Sequence, residues 1–265
     1  MRECPDCGET VFKLKIAEKQ FKIVKCKSCG FIYLLNPPDE KEIYEDYYEI
    51  QYSPEDYKPD SKYGFLSEIH LINLQRVSLL KKIGANGKLL DIGCGTGLFM
   101  NIATQNGFEI EGTDVSRKAL DFAKSGFGLN VYRKTLDDLI DEKKTYDVIT
   151  LWHVVEHFLE PVIELNKIFQ LLKPNGYCII EVPNFNSIKF RLSGKKWKGG
   201  NHPLYHRSFF TGKSLMNILE KSGFRSKRIK ISYKIPSKGK LYNLSKRIFN
   251  IFAMDTFLDF IAYRK

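Results

Sequence analysis

The stretch Leu89–Gly97 reads Leu-Leu-Asp-Ile-Gly-Cys-Gly-Thr-Gly, an apolar run that ends in glycines at three alternate positions. A strand passing through glycines into a helix turns backbone N–H groups and a helix N-terminus toward a ligand. A Cβ there would keep the backbone away from it. The spacing differs from the dinucleotide fingerprint Gly-x-Gly-x-x-Gly. A second apolar run, Phe108–Thr113, ends in Asp114, where a carboxylate can hold both hydroxyls of a ribose. Gly93, Gly95, Gly97 and Asp114 are therefore candidate ligand-binding residues, and a Rossmann-type domain that takes NAD is one reading of them.

A second group is built for metal. Four of the six cysteines lie in Cys4-Pro-Asp-Cys7 and Cys26-Lys-Ser-Cys29, with two residues inside each pair and eighteen between them. That spacing fits one structural zinc held by Cys4, Cys7, Cys26 and Cys29, each pair turning at the glycine that follows, Gly8 or Gly30. Strand-like runs Thr10–Ile16 and Gln20–Lys25 between the pairs make a hairpin, and the whole reads as a zinc ribbon with a core of its own. Redox dithiols are the alternative, less suited to a reducing compartment. Cys94 and Cys178 read as small packing residues.

The third group is rich in histidine. The run Tyr146–Trp152 ends in Trp152-His153-Val-Val-Glu156-His157. His-x-x-Glu-His is also an inverted zinc-protease signature, but that motif needs a helix and here it follows a strand. His202 and His206 lie in Asn201–Thr211, and His206 can orient an acceptor hydroxyl or take its proton. Trp197, among lysines, can stack on a flat acceptor or anchor its loop.

The elements that must position these groups alternate. Helix Phe65–Ile83 precedes strand Lys88–Ile92, and amphipathic Leu98–Gln105 precedes strand Phe108–Thr113. Helix Ser116–Ser125 and strands Asn130–Arg133 and Tyr146–Trp152 follow. Helix Pro161–Leu172, strand Tyr177–Val182, helix Thr211–Ser222 and strands Ser226–Tyr233 and Phe257–Tyr263 complete the series. Such alternation predicts an α/β fold, a doubly wound, mostly parallel sheet. Strand ends at its carboxyl edge then gather the glycine loop, Asp114 and His153. The expected domains are a zinc ribbon over 1–36, an acidic connector over 37–64 and an α/β domain over 65–265. The connector carries Tyr44, Tyr48 and Tyr52 at helical spacing, either docking it on the core or closing as a lid.

With 265 residues, 43% of them hydrophobic, the chain has material for one full domain and a small appendage. It has no apolar run long enough to span a bilayer, and its N-terminus lacks a signal peptide's apolar stretch, so a cytoplasmic protein is expected. The net charge of +11 favours an acidic partner without naming it. Arg225–Arg247 holds nine Lys or Arg and no acid, yet no RNA-binding motif accompanies it.

Asp91-Ile-Gly-Cys-Gly-Thr-Gly97 followed by Gly112-Thr-Asp114 resembles the class I S-adenosylmethionine-dependent methyltransferases, from about Gly64 onward. The resemblance implies a seven-stranded Rossmann-like sheet whose last strand inserts antiparallel. It also implies that the loop of Asp91, Gly93, Gly95 and Gly97 cradles S-adenosylmethionine, with Asp114 on its ribose. Thr135 and Leu136 would then lie near the adenine, and Trp152 would line the cofactor pocket. Glu156-His157-x-x-x-Pro161 is similar to an element of small-molecule methyltransferases, including ubiquinone-pathway O-methyltransferases, where an acid plus this Glu and His bind magnesium. Here the first position is His153, a poor magnesium ligand, so a pocket without metal is expected. A ribbon ahead of this core resembles some sugar C-methyltransferases. The resemblance thus implies a methyltransferase acting on a small-molecule acceptor, by O- or C-methylation, with His153, His157 and His206 on the acceptor side. Methylation of RNA or a ribosomal component is the rival, and a non-catalytic cofactor-binding module is the rival of another class.

Overall fold

A computed structural model describes residues 2–17, 21–38, 64–187, 190, 205–231 and 256–264, with backbone only for 64–68. The tyrosines of the connector, Trp197, His202 and most of the basic C-terminal run lie outside the described residues.

The chain forms β1 (Phe12–Ala17), β2 (Lys22–Cys26) and β3 (Ile32–Leu34), then α1 (Gly64–Lys82) and β4 (Lys88–Ile92). Next come α2 (Leu98–Gln105), β5 (Glu109–Thr113), α3 (Arg117–Phe127), β6 (Val131–Tyr132), α4 (Leu136–Asp141) and β7 (Tyr146–Trp152). A 3-10 turn, Val155–His157, leads to α5 (Pro161–Leu171), β8 (Leu172–Pro183), β9 (Ser208–Phe209), α6 (Gly212–Lys221), β10 (Arg225–Ile229) and β11 (Phe257–Tyr263).

Seven strands form one sheet in the order β10-β11-β8-β7-β4-β5-β6. β4, β5, β6, β7 and β8 run parallel to one another, and β11 inserts antiparallel between β8 and β10. Leu89 and Leu90 in β4 and Ile149 and Leu151 in β7 are fully buried, as strands covered on both faces require. Residues of α1, α2 and α3 pack on one face, and residues of α4, α5 and α6 on the other. The chain runs outward from β4 through β5 to β6, then returns to β7 on the other side of β4. That reversal opens a crevice at the carboxyl ends of β4 and β7, where open α/β sheets bind ligands.

The helix boundaries follow local chemistry. Ser116 caps α3 by accepting from Ala119 N, and Thr211 caps α6 in a reciprocal pair with Ser214. Pro161 opens α5 in its first turn, where no N–H is missed. β8 starts five residues earlier than the sequence reading placed it, with an irregular register against β7 between Tyr146 and Val148.

A second, antiparallel sheet runs β1-β2-β3-β9. Its last strand comes from the far end of the chain, so the cysteine ribbon is stitched to the α/β domain by backbone hydrogen bonds. Cys4, Val24, Cys26, Phe31 and Tyr33 belong to the same buried cluster as Leu165, Phe210 and Leu215. The expectation of two separate cores is therefore corrected: a hairpin this small buries too little surface to stand alone.

Candidate active site

The glycine loop leaves β4 at Gly93. Gly93 N and Cys94 N both donate to the Thr113 carbonyl, at 2.7 and 3.0 Å, locking the loop against the end of β5. Gly93, Gly95 and Gly97 all have left-handed φ, of 68°, 53° and 78°. Their surroundings differ. A Cβ on Gly93 would meet Val154 Cγ2 at 2.6 Å, and one on Gly97 would meet Leu129 Cδ1 at 2.4 Å. A Cβ on Gly95 would meet nothing within 4 Å. Gly95 alone of the three therefore faces open space, the cradle that a ligand backing onto α2 requires.

Asp114, 6% exposed, ties the loop to the second strand. Its Oδ2 accepts from Gly95 N at 2.8 Å and its Oδ1 from Ser116 N at 2.8 Å. Each oxygen keeps a second lone pair for a ribose hydroxyl. Burial raises the Asp114 carboxyl above its ordinary value, against these amide hydrogen bonds. Asp91 sits deeper in β4, accepts from Thr150 Oγ1 at 2.6 Å, and is pushed up to about 7 by burial.

Thr135 and Leu136 open α4, just beyond the end of β6. Thr135 caps α4 in a reciprocal pair with Asp138, and Leu136 is buried in the core. Trp152 packs edge-on against Phe99 at 5.3 Å, under the Arg76 guanidinium at 4.5 Å from its ring centroid.

A buried charge network lies behind the carboxyl ends of β7 and β8. Arg76 of α1 meets Glu181 of β8 at 2.5 Å, and His153 Nε2 meets the same Glu181 oxygen at 3.0 Å. His153 Nδ1 lies 3.3 Å from Glu156 Oε1. His153 has a left-handed φ of 61° and donates its N–H to the Glu181 carbonyl at 2.9 Å. Burial disfavours its charge, yet the two carboxylates outweigh that and push His153 up to about 9, although 35% of its side chain remains exposed. At neutral pH it is an imidazolium, unsuited to take a proton. Asp259, behind Glu181, is pushed up to about 7 by burial and by that neighbour's charge.

Arg76, Glu181 and Asp259 escaped the sequence reading. The readable signal was an acid inside each of two otherwise apolar strands, Glu181 in β8 and Asp259 in β11.

The third cluster is Glu156, His157 and His206, each with a ligand atom within 4.8 Å of those of the others. The 3-10 turn carries the first two, and His206 arrives just before β9. His157 Nδ1 lies 2.9 Å from the Tyr205 carbonyl, so it donates and leaves Nε2 as the acceptor. The His157 and His206 rings meet edge to face at 5.0 Å. Glu156 is 1% exposed, and neither oxygen has a well-aligned hydrogen-bond partner among the described residues. Burial alone would raise its carboxyl, but His153, His157 and His206 hold it below the ordinary range. Such a set can hold an acceptor's polar group or a metal ion.

In the ribbon, Cys4 Sγ lies 3.6 Å from Cys29 Sγ, and Cys7 Sγ 3.6 Å from Cys26 Sγ. Four sulfurs each about 2.3 Å from a tetrahedral zinc stand about 3.8 Å apart, so the donor set fits zinc. Gly8 and Gly30 turn the knuckles with φ of 76° and 80°. Cys94 and Cys178 are buried.

A glycine cradle after the first sheet strand, an acid after the second and an antiparallel last strand together define a class I S-adenosylmethionine-dependent methyltransferase. A methyltransferase domain family matches residues 66–227, more than half of the chain, and the chain belongs to that family. It is 26% identical over 183 residues to a ubiquinone biosynthesis O-methyltransferase of Aliivibrio fischeri, covering 63% of this chain and 77% of that one. The same enzyme of Cereibacter sphaeroides is 27% identical over 187 residues, covering 66% and 72%. Among solved structures, an S-adenosylmethionine-dependent methyltransferase from Archaeoglobus fulgidus aligns with a TM-score of 0.53 at 21% identity. It covers 77% of this chain and all of that one. The plantazolicin methyltransferase BpumL, in complex with S-adenosylhomocysteine, aligns at 0.53 and 18% identity, covering 75% and 84%. At such identities the structures share the fold.

Proposed function

We propose that the chain transfers a methyl group to a small-molecule acceptor seated on Glu156, His157 and His206. Its relatives that methylate in ubiquinone biosynthesis support a small acceptor. The observation that carries the reading is the meeting of Glu156, His157 and His206 just beyond the end of β7, at the carboxyl edge of the sheet where Asp114 also lies. S-adenosylmethionine supplies the activated methyl group. Gly93, Gly95 and Gly97 hold its methionyl end and Asp114 its ribose, while Thr135, Leu136 and Trp152 bound the rest of its pocket. His157 Nε2 accepts the proton of an acceptor hydroxyl, its tautomer fixed by the Tyr205 carbonyl. His206 orients that hydroxyl. His153, as a cation, holds Glu156 ionised and in place.

In this reading the two imidazoles serve the acceptor directly, without an obligatory metal at this cluster. The four cysteines hold one structural zinc, which closes its coordination shell and takes no part in the reaction.

Incubation of methyl-labelled S-adenosylmethionine with a metabolite pool and with an RNA pool tests the acceptor class. Label should enter the metabolites. Transfer to RNA instead would overturn the small-molecule reading. His157→Ala should lower turnover at least about a hundredfold, with S-adenosylhomocysteine affinity nearly unchanged, as loss of a general base requires. A requirement for added magnesium, lost in Glu156→Gln, would replace the metal-free reading.

A further inference from the structure

We propose that the zinc-loaded ribbon is a positioning element of the histidine cluster. This inference rests on the acceptor-side reading of that cluster. Segment 205–210 is held from two sides. On one side Ile32 and Tyr33 of β3 pair with Phe209 and Ser208 of β9, and Leu34 N donates to the Arg207 carbonyl at 2.9 Å. Phe31 packs edge-on against Phe210 at 5.7 Å. On the other side Arg207 N donates to the Glu156 carbonyl at 2.8 Å, and the Tyr205 carbonyl accepts from His157.

The ribbon thus reaches Glu156 and His157 through a single strand of backbone. Arg2 clamps the same joint, donating to the Leu34 carbonyl at 2.7 Å and to the Leu159 carbonyl, just beyond the 3-10 turn. Two zinc knuckles fix this frame. Cys26 N donates to the Phe31 carbonyl at 2.8 Å and Phe31 N to Cys29 Sγ at 3.5 Å, so the second knuckle sets the start of β3. Asp6, inside the first knuckle, accepts from Lys221 of α6. Metal binding that folds the ribbon therefore also fixes β9, and with it His206 and the carbonyl that selects the His157 tautomer. The glycine loop is spared, because α2 packs on the opposite face of the sheet.

Two variants of the full chain test this. In Cys29→Ser, elemental analysis should find the zinc lost. Calorimetry with S-adenosylhomocysteine should keep the affinity within about threefold. Amide exchange in 205–210 should rise at least about tenfold as β9 loosens. The nitrogen resonances of the His157 imidazole should move toward a tautomer average. Arg2→Ala should keep its zinc and show the same two changes in smaller degree. Zinc loss with unchanged exchange and an unchanged His157 signal would overturn the proposal. So would loss of S-adenosylhomocysteine binding in parallel with zinc, which would mark a general scaffold. None of these readouts needs the acceptor, so a wrong acceptor assignment would show separately, as undiminished turnover in His157→Ala.

Discussion

At the level of single residues, the three glycines of the loop share a left-handed backbone and divide its tasks. Gly97 is confined by Leu129 and Ala123, and Gly95 faces open space. Gly97→Val should therefore lower the melting temperature, by overpacking worth about 1–3 kcal/mol plus the backbone strain. Differential scanning calorimetry checks it. His153 makes a pH prediction. Its folded value, about 9, lies above the ordinary histidine value. The stability it contributes is complete below about pH 6.5 and is lost as pH rises through about 9. Melting temperature should fall across that window in the wild type and fall less in His153→Gln. Equal pH dependence in both proteins would contradict the assignment of the charge to His153.

Between elements, the joint that matters most for the crevice is α1 against β8, made by Arg76 and Glu181. Both are buried, so Glu181→Ala leaves a guanidinium without its carboxylate. Unfolding in urea should show a loss of about 3–5 kcal/mol, and the His153 titration should move down toward its ordinary range. Sequence alone placed β4, α2, β7 and β11 at their observed boundaries, because each is a long apolar or amphipathic run bounded by glycine, charge or a cap. It also foresaw the antiparallel insertion of β11 through the family resemblance. It missed β3 and β9, of three and two residues, since so short a run carries no period. Arg76 and Glu181 are partners across 105 positions, a pairing no local pattern encodes. The glycine loop, Asp114 and the cysteines could be singled out by residue type and spacing, and the structure brings the loop onto Asp114 and the four cysteines together. Glu156, His157 and His206 were each visible, but their meeting depends on β9, which no local pattern marks, and the contacts of His153 with Glu181 join it to the charge network as well.

Over the whole molecule, the ribbon and the α/β domain share one buried cluster, and β9 belongs to the sheet that the ribbon begins. Heating should therefore unfold both in one transition, and any zinc that the four cysteines hold should be released as it proceeds. Zinc release well before the melt of the main sheet would show two independent units. No described helix is long and apolar enough to cross a membrane. In the proposed function S-adenosylmethionine lies in the crevice where β4 and β7 part, against Gly95 and Asp114. Calorimetric titration with S-adenosylhomocysteine tests it most directly, on the wild type, Gly95→Val and Asp114→Ala. One site per chain is expected. Asp114→Ala should weaken binding at least about tenfold, since hydrogen bonds to a charged group contribute about 1.5–3 kcal/mol. Gly95→Val should abolish it, with a fall in melting temperature that reflects only the backbone strain at its left-handed φ and is smaller than that of Gly97→Val. Unchanged affinity in both variants would place the cofactor elsewhere and contradict the account.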